Sequence, residues 1–260
     1  MWEASRLAGR LRRREVSSSF FCEKLLGSSD CEASLQLLRA MGFPLEQNDG
    51  RVRLATAHRH WRDETFCFVD IETTGPNPEH SQILEIGALK GPLGGPYEEF
   101  ATLIKARYIP PMIVDVTGIT LQMVANAPTL ATALRDFRLF LGDALFVAHD
   151  ALFDYRYLSH ALEQQGLGRL MNRALCTLKL SKKLIKAERY GLVGLSEALG
   201  LDATDHHRAL ADAKLSAKVC EIALKHLPEG VVTTEELIAF SDFHPHHKKL
   251  KKKKEKNHDR

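Results

Sequence analysis

Phe66-Cys67-Phe68-Val69-Asp70-Ile71-Glu72-Thr73-Thr74-Gly75 sets two carboxylates inside an otherwise apolar run. Side chains alternate along a strand, so Asp70 and Glu72 point to the same face. Two carboxylates held that close repel each other, and burial raises the cost of ionising both. A hard divalent cation resolves the conflict: Mg2+ or Mn2+ prefers oxygen ligands and keeps waters for a phosphate substrate. An isolated D-x-E is usually a solvent-facing strand. Here Phe66, Phe68, Val69 and Ile71 predict a buried central strand instead.

Two further stretches carry chemistry. The apolar run Ala144-Leu145-Phe146-Val147-Ala148 predicts a strand, and His149-Asp150-Ala151-Leu152-Phe153-Asp154 reads as that strand turning into a helix. His207-Arg208-Ala209-Leu210-Ala211-Asp212 opens a long helical pattern. Five residues advance a helix by about 500°, so His207 and Asp212 do not share a strict face. That offset places His207 in the loop or first turn, reaching back toward a site that Asp212 enters from the helix.

In this order the three segments resemble the DEDDh family of 3′–5′ exonucleases, most of all its DnaQ-like, epsilon-type proofreading branch. The first motif is Asp70-Ile71-Glu72-Thr73-Thr74-Gly75. The second is carried by His149, Ala151, Phe153 and Asp154, and the third by His207 and Asp212. The sister group would place Tyr four residues before the last Asp, where this chain has Arg208. Gln82-Ile83-Leu84-Glu85-Ile86-Gly87-Ala88 looks like the family's second strand. Asp115-Val116-Thr117-Gly118-Ile119-Thr120 looks like its substrate-side loop, with the next helix starting near Ala127-Pro128-Thr129. The likeness covers roughly residues 64–227. Two positions depart from the pattern: Asp150 stands where the family usually has Asn, and Thr117 where epsilon-type sequences often have His.

The resemblance implies a ribonuclease-H-like α/β fold, a mixed sheet flanked by helices. It also implies hydrolysis of terminal phosphodiesters. Asp70, Glu72, Asp154 and Asp212 would hold two divalent ions, Mg2+ or Mn2+, roughly 4 Å apart as in such sites. His207 would take the proton of the attacking water as general base. Thr73, Thr74 and Gly75 would approach the 3′-terminal nucleotide through the backbone, with His149 and Phe153 as substrate-side neighbours; Phe153 also suits a core position. The implied partners are the 3′ end of single-stranded DNA and a DNA polymerase catalytic subunit. The same chemistry on RNA or in DNA repair stays open, as does a nuclease-like binding module without catalysis, against which the intact acidic set argues.

At 260 residues, 44% hydrophobic and 27% charged, the chain has the composition of a soluble protein with a full core. No apolar run approaches a membrane span, so no membrane partner is expected. Five widely spaced cysteines without a C-x-x-C pair are expected to be reduced thiols in a cytoplasmic protein. The Arg-rich start, Met1 to Arg14, lacks the apolar core of a secretory signal. Its Arg and Ser content leaves a transit peptide open, against which Glu3 and Glu15 count. Residues 248–260 carry seven Lys and one Arg against Glu255 and Asp259, a net of +6, while the whole chain is +3. The remainder is therefore about −3, so the folded body is not expected to be a basic DNA-binding surface, and its acidic site is expected to need metal before it accepts a phosphodiester. The tail is either a salt-screened attractor of phosphates or a solubilising end.

Four regions are expected. Residues 1–62 form an N-terminal extension, winged-helix-like from a helix over Cys31–Arg39 and a hairpin from Pro44 to Leu54 around Asn48-Asp49-Gly50. It would touch nucleic acid or a protein, or simply pack on the body. Residues 63–227 form the exonuclease domain, 228–247 a C-terminal segment that is a candidate partner contact, and 248–260 a basic disordered tail. Within the domain the patterning predicts strands at 66–71, 82–90, 97–104, 144–148 and 173–177. Helices are predicted at 129–141 and 151–165 and around 178–186, 195–199 and 207–226. An early meander followed by alternating helix and strand indicates a mixed sheet in an α/β layer fold.

Overall fold

The structure, a computed structural model, describes residues 4–204 and 206–242. The chain opens with helix α1 (Ala4–Leu11), whose Ala4, Leu7, Ala8 and Leu11 are buried at helical spacing. Strand β1 (Val16–Ser17) leads into the short helix α2 (Ser18–Phe20), which continues as a π-helical turn, Phe21–Leu26. Asp30 then caps α3 (Cys31–Ala40) by accepting the Ala33 N–H at 3.1 Å. The expected hairpin is present as β2 (Leu45–Asn48) and β3 (Arg51–Leu54), turned at Asp49-Gly50 with both residues at positive φ. Its sheet runs β1-β3-β2, all antiparallel. The expectation of five reduced cysteines is corrected here. Gly27, left-handed at φ 66°, reverses the chain between the π turn and α3, and Cys22 is bonded to Cys31. Cys67, Cys176 and Cys220 are free and buried.

The second sheet has five strands: β4 (Phe66–Thr73), β5 (Ile83–Gly91), β6 (Glu98–Leu103), β7 (Leu145–Ala148) and β8 (Ala174–Cys176). Their order is β6-β5-β4-β7-β8; the first three pair antiparallel and β4-β7-β8 parallel. This is the mixed sheet that the sequence predicted. Between β6 and β7 lie α4 (Pro111–Thr117), α5 (Leu121–Val124) and α6 (Leu130–Leu141). The stretch read as a substrate-side loop is thus partly helix: Pro110-Pro111 starts α4, and Gly118 at φ 69° ends it. Helix α7 (Ala151–Gln164) follows β7, and after β8 come α8 (Thr177–Leu184), α9 (Leu192–Leu199), α10 (Ala209–Leu224) and α11 (Thr234–Ser241).

The alternation in β4 assigns its two faces. Cys67, Val69 and Ile71 pack against α6 and α7 through Leu134, Phe137, Tyr155 and Leu158. Phe66 and Phe68 face α8, α10 and α11 through Leu180, Cys220, Leu224 and Leu237. Asp70 and Glu72 have the parity of Phe66 and Phe68, so β4 directs them to the side on which α10 begins. Helix α11 contributes Leu237 and Ile238 to this second cluster. Its Glu235 forms a buried pair with Arg173 at 2.6 Å and accepts from Thr56 at 2.8 Å, tying α11 to the extension. Among the described residues no helix is long and apolar enough to cross a membrane. The basic tail lies outside the described residues.

Candidate active site

Three elements deliver the four acids. Asp70 and Glu72 come from β4, Asp154 from the first turn of α7, and Asp212 from the first turn of α10. Carboxylate oxygens of Asp70, Glu72 and Asp212 all lie within 4.8 Å of one another. Asp154 and Asp212 are only 3% and 5% exposed. Burial, then the charges of Asp154, Asp212 and Glu72, hold the Asp70 carboxyl well above the usual carboxylate range. Glu72 is pushed up to about 8 by burial, then by Asp212 and Glu85, with Arg208 pulling the other way. Burial also raises Asp154; the backbone amides of Asp154 and Ile71 oppose it, and the Asp150 charge reinforces it. Acids that resist ionising together, offering only hard oxygen donors, fit a divalent cation.

The fourth acid is placed by a residue that the sequence reading treated only as part of a strand. Glu85 lies opposite Glu72 in the β4–β5 register and is 4% exposed. Its carboxylate accepts from Arg208 Nη2 at 2.7 Å and Nε at 3.1 Å, and from the Ala209 N–H at 3.1 Å. A bidentate guanidinium and a helix N-terminal amide on one buried carboxylate fix where α10 begins. Gly87, two residues on, permits the approach: a Cβ there would sit 2.2 Å from the Leu210 nitrogen and 2.3 Å from the Ala209 carbonyl carbon. Glu85 had the same signal as Asp70, a carboxylate inside an apolar run. The Arg208 charge favours ionised Glu72, and its guanidinium is engaged by Glu85.

Both histidines before α10 meet Asp212. His206 Nδ1 donates to Oδ1 at 2.6 Å, and the His207 backbone N–H donates to Oδ2 at 3.1 Å. His207 adopts φ 71°, outside helical geometry, which fits its expected place before the helix. Its ring is exposed and lies 3.8 Å, centroid to centroid, from that of His206. Burial, then His206, lower the His207 pKa, with Asp212 opposing, so the ring is neutral at physiological pH. The sequence reading left His206 unassigned; the structure gives it the direct contact with the acid.

The remaining expected site residues divide. Thr73 donates its hydroxyl to the Gly75 carbonyl at 2.9 Å, and the Thr74 hydroxyl accepts from the Gln82 N–H at 3.0 Å. Tyr157 also donates to the Gly75 carbonyl, locking the turn after β4. His149 is held on both sides: Nε2 donates to the Tyr190 carbonyl at 2.8 Å and Nδ1 meets the Thr177 hydroxyl at 2.9 Å. Those bonds tie the end of β7 to α8 and the loop before α9. Phe153 is half-buried, with its ring 4.9 Å from that of Tyr157. Asp150 sits at φ 61°, a left-handed position that Asn and Asp tolerate better than most residues. The Asp-for-Asn change therefore keeps the backbone. Thr117 is buried, donating to the Ile113 carbonyl at 2.8 Å and accepting the Ile119 N–H at 3.1 Å, so it closes α4. From Thr74 a cleft of about 740 Å³ runs past Gln82, Lys105, Arg107, Tyr108 and Pro110.

Comparison with known proteins identifies the family. The RNase T exonuclease family matches residues 67–220. The PolC-type DNA polymerase III of Thermotoga maritima is 42% identical over 159 residues, 60% of this chain but 12% of that protein. The DNA polymerase III epsilon subunit of Aquifex aeolicus is 36% identical over 169 residues, covering 64% of this chain and 82% of the subunit. This chain therefore spans only about an eighth of its PolC-type relative. Among solved structures, an Escherichia coli exonuclease I–single-stranded DNA complex aligns with a TM-score of 0.59 at 18% identity, over 64% of this chain and 41% of that one, which shows a shared fold. The chain belongs to the RNase T/DEDDh exonuclease family of phosphodiester hydrolases, related to the exonuclease domains of DNA polymerase III epsilon and PolC.

Proposed function

We propose that this chain is a 3′–5′ exonuclease that removes nucleotides from the 3′ end of single-stranded DNA, working as the proofreading subunit of a replicative DNA polymerase. The observation that carries the reading is that carboxylate oxygens of Asp70, Glu72 and Asp212, from two elements, lie within 4.8 Å of one another, with Asp154 of a third element near enough for its charge to raise Asp70 and with His207 beside Asp212. Asp70, Glu72, Asp154 and Asp212 would hold two Mg2+ or Mn2+ ions, which supply a more acidic attacking water and neutralise charge at the leaving 3′ oxygen. His207, neutral at physiological pH, accepts the proton of the attacking water. Glu85 and Arg208 keep Asp212 in place by fixing the start of α10. The locked turn Thr73-Thr74-Gly75 presents backbone to the terminal nucleotide. In the adjoining cleft, Tyr108, 65% exposed, offers a ring on which a base stacks, and Lys105 and Arg107 face the phosphates.

A second reading is the same chemistry in repair or on RNA, since a site that reads mainly backbone and stacking treats the two strands alike. A putative bifunctional exonuclease/endonuclease protein of Mycobacterium tuberculosis is 36% identical over 190 residues, 30% of its length. The extension's helix-strand-helix-helix-hairpin order supports the winged-helix-like reading, and residues 228–247 remain the candidate polymerase contact. The deciding assay incubates 3′- and 5′-labelled single-stranded DNA and RNA of one sequence with the protein, with Mn2+ or with excess chelator. Stepwise shortening of the DNA from the 3′ end, abolished by chelator and by Asp212→Ala, is expected. Full activity in chelator, or degradation of RNA alone, would sink the reading. Co-purification with a polymerase catalytic subunit from native extract tests the proofreading part.

A further inference from the structure

We propose that the outer face of the N-terminal extension holds a second nucleic-acid site, a basic groove that grips a single strand away from the catalytic acids. The groove has a volume of about 720 Å³ and is lined by Arg6, Arg10, Arg13 and Arg14 along and after α1, and by Phe20 and Lys24 across from them. Helix α1 buries Ala4, Leu7, Ala8 and Leu11, so Arg6 and Arg10 fall on its outward stripe, one turn apart. Among the described residues none of these five cations forms an ion pair, whereas Arg51 and Arg53 of the same module pair with Glu15 and Glu46. Phe20 is 47% exposed on the wall of the groove. Unpaired cations beside an exposed aromatic ring are the elements that hold a single strand, phosphates on the cations and a base on the ring.

Net charge explains why a second site matters. Residues 58–247, which hold the acidic cluster, sum to −5, and residues 1–57 to +2. The whole-body average of about −3 hid this local asymmetry. A polyanion is repelled by the body around its own reaction site, and the groove offers attraction on the folded part of the chain. The extension joins the body where β7 and β8 begin: the Met41 carbonyl accepts from Arg138 and from the Met171 N–H. The acids lie where β4 ends and beyond β7. A strand reaching both sites must therefore cross the length of the sheet, and only longer substrates profit.

The proposal assumes that the substrate is nucleic acid, as read above, and its test separates the two ideas. Gly9 lies in the groove, and a Cβ there meets nothing within 4 Å. Gly9→Glu therefore puts a carboxylate among the arginines without a clash, and a helix-interior glycine is replaced by a better helix former. Gly9→Glu and Arg10→Ala/Arg13→Ala are compared with wild type and with the charge-matched control Arg135→Ala/Lys225→Ala, all as full chains with the tail. Binding of a 30-nucleotide single strand is read by anisotropy in chelator across salt. Turnover of the p-nitrophenyl ester of a nucleoside 5′-phosphate, too small to reach the groove, is read with Mn2+.

Loss of two phosphate contacts lowers the salt slope by about 1.4, so the affinity ratio of wild type to the double variant shrinks about sevenfold between 50 and 200 mM salt. Phe20→Ala should weaken binding with the slope kept. Ester turnover and trinucleotide hydrolysis should match wild type in every variant. Wild-type affinity and slope in both groove variants would overturn the groove, as would equal losses in the charge-matched control. A wild-type protein inert toward the ester, with groove variants still losing strand binding, would instead overturn the catalytic reading and leave the groove standing.

Discussion

Without metal, the acid cluster should make the protein less stable as pH rises, and Glu72→Gln should remove much of that dependence. Glu72 titrates near 4.5 when unfolded and is pushed up to about 8 in the fold, so the folded state prefers the protonated acid. The stability this gives is complete below about 4.5 and is lost as pH climbs through about 8. At about 1.4 kcal/mol per tenfold change, the loss between pH 4.5 and 7.5 is roughly 4 kcal/mol. Water entering the metal-free cluster screens part of it, leaving about 2 kcal/mol. In a body of this size that is about 4–8 °C in melting temperature. Scanning calorimetry in chelator from pH 5 to 8 should show a fall of that order for wild type and a smaller one for Glu72→Gln. Millimolar Mn2+ should raise the wild-type melting temperature most at the alkaline end, where the acids are ionised and able to ligate. A wild-type melting temperature flat across the window in chelator, or a Glu72→Gln profile superimposed on it, would refute the reasoning.

His207→Ala should lower turnover by about 10²–10⁴-fold, the range of a positioned general base, while metal-induced stabilisation is kept; wild-type turnover should rise with pH through the His207 pKa, and an identical profile in the variant would move the base elsewhere. Gly87→Ala should cut turnover by about 10²-fold or more with little effect on solubility, because its Cβ must displace the Ala209-Leu210 backbone and carry Asp212 away from its partners; a wild-type rate would show that α10 yields without moving the acid. Asp70→Ala should abolish turnover yet melt at or above the wild-type temperature in chelator, since one repelling charge is gone; loss of folding would show that the carboxylate supports the core. Deleting residues 248–260 removes a net charge of +6 and should lower the salt slope of single-strand binding, with turnover at saturating substrate unchanged; equal slopes would leave the tail without a part in substrate capture.

The central layer was legible because its signals are local. Alternation put Asp70 and Glu72 on one face of β4, and turn chemistry at Asp49-Gly50 gave the hairpin; both stand within a residue or two of expectation. Helix α1 was obscured by its arginines: with Leu7 and Leu11 its main large apolar residues, its buried stripe relies on Ala4 and Ala8, which composition does not flag. Helix α4 was hidden by Pro110-Pro111, which mark a helix start as readily as a loop. The Cys22–Cys31 bond depends on a reversal at Gly27 that spacing does not disclose. In the site, the acids could be read from motif order, whereas Glu85 needed the β4–β5 register before its charge had a purpose. The motif singled out His207 and gave His206 no role; that the His206 ring meets Asp212 while His207 offers its backbone N–H goes with the left-handed turn at His207.

The Arg138 contacts bear on how this molecule comes apart. Its buried side chain bridges the extension and the nuclease body: Nη1 donates to the Met41 carbonyl at 2.8 Å, and Nη2 to the Gly168 and Arg169 carbonyls at 2.8 and 3.2 Å.

 Met171 lies in the same apolar cluster as Phe43 and Leu38 of the extension, and Asn172 sits against Gly42. Peeling the extension off would strand a guanidinium without one of its acceptors and wet a methionine, a penalty felt in the strand that carries β8. Extension and nuclease body should therefore melt in a single cooperative transition, and a fragment beginning at residue 63 should fold less stably than the intact chain even though every catalytic acid is retained.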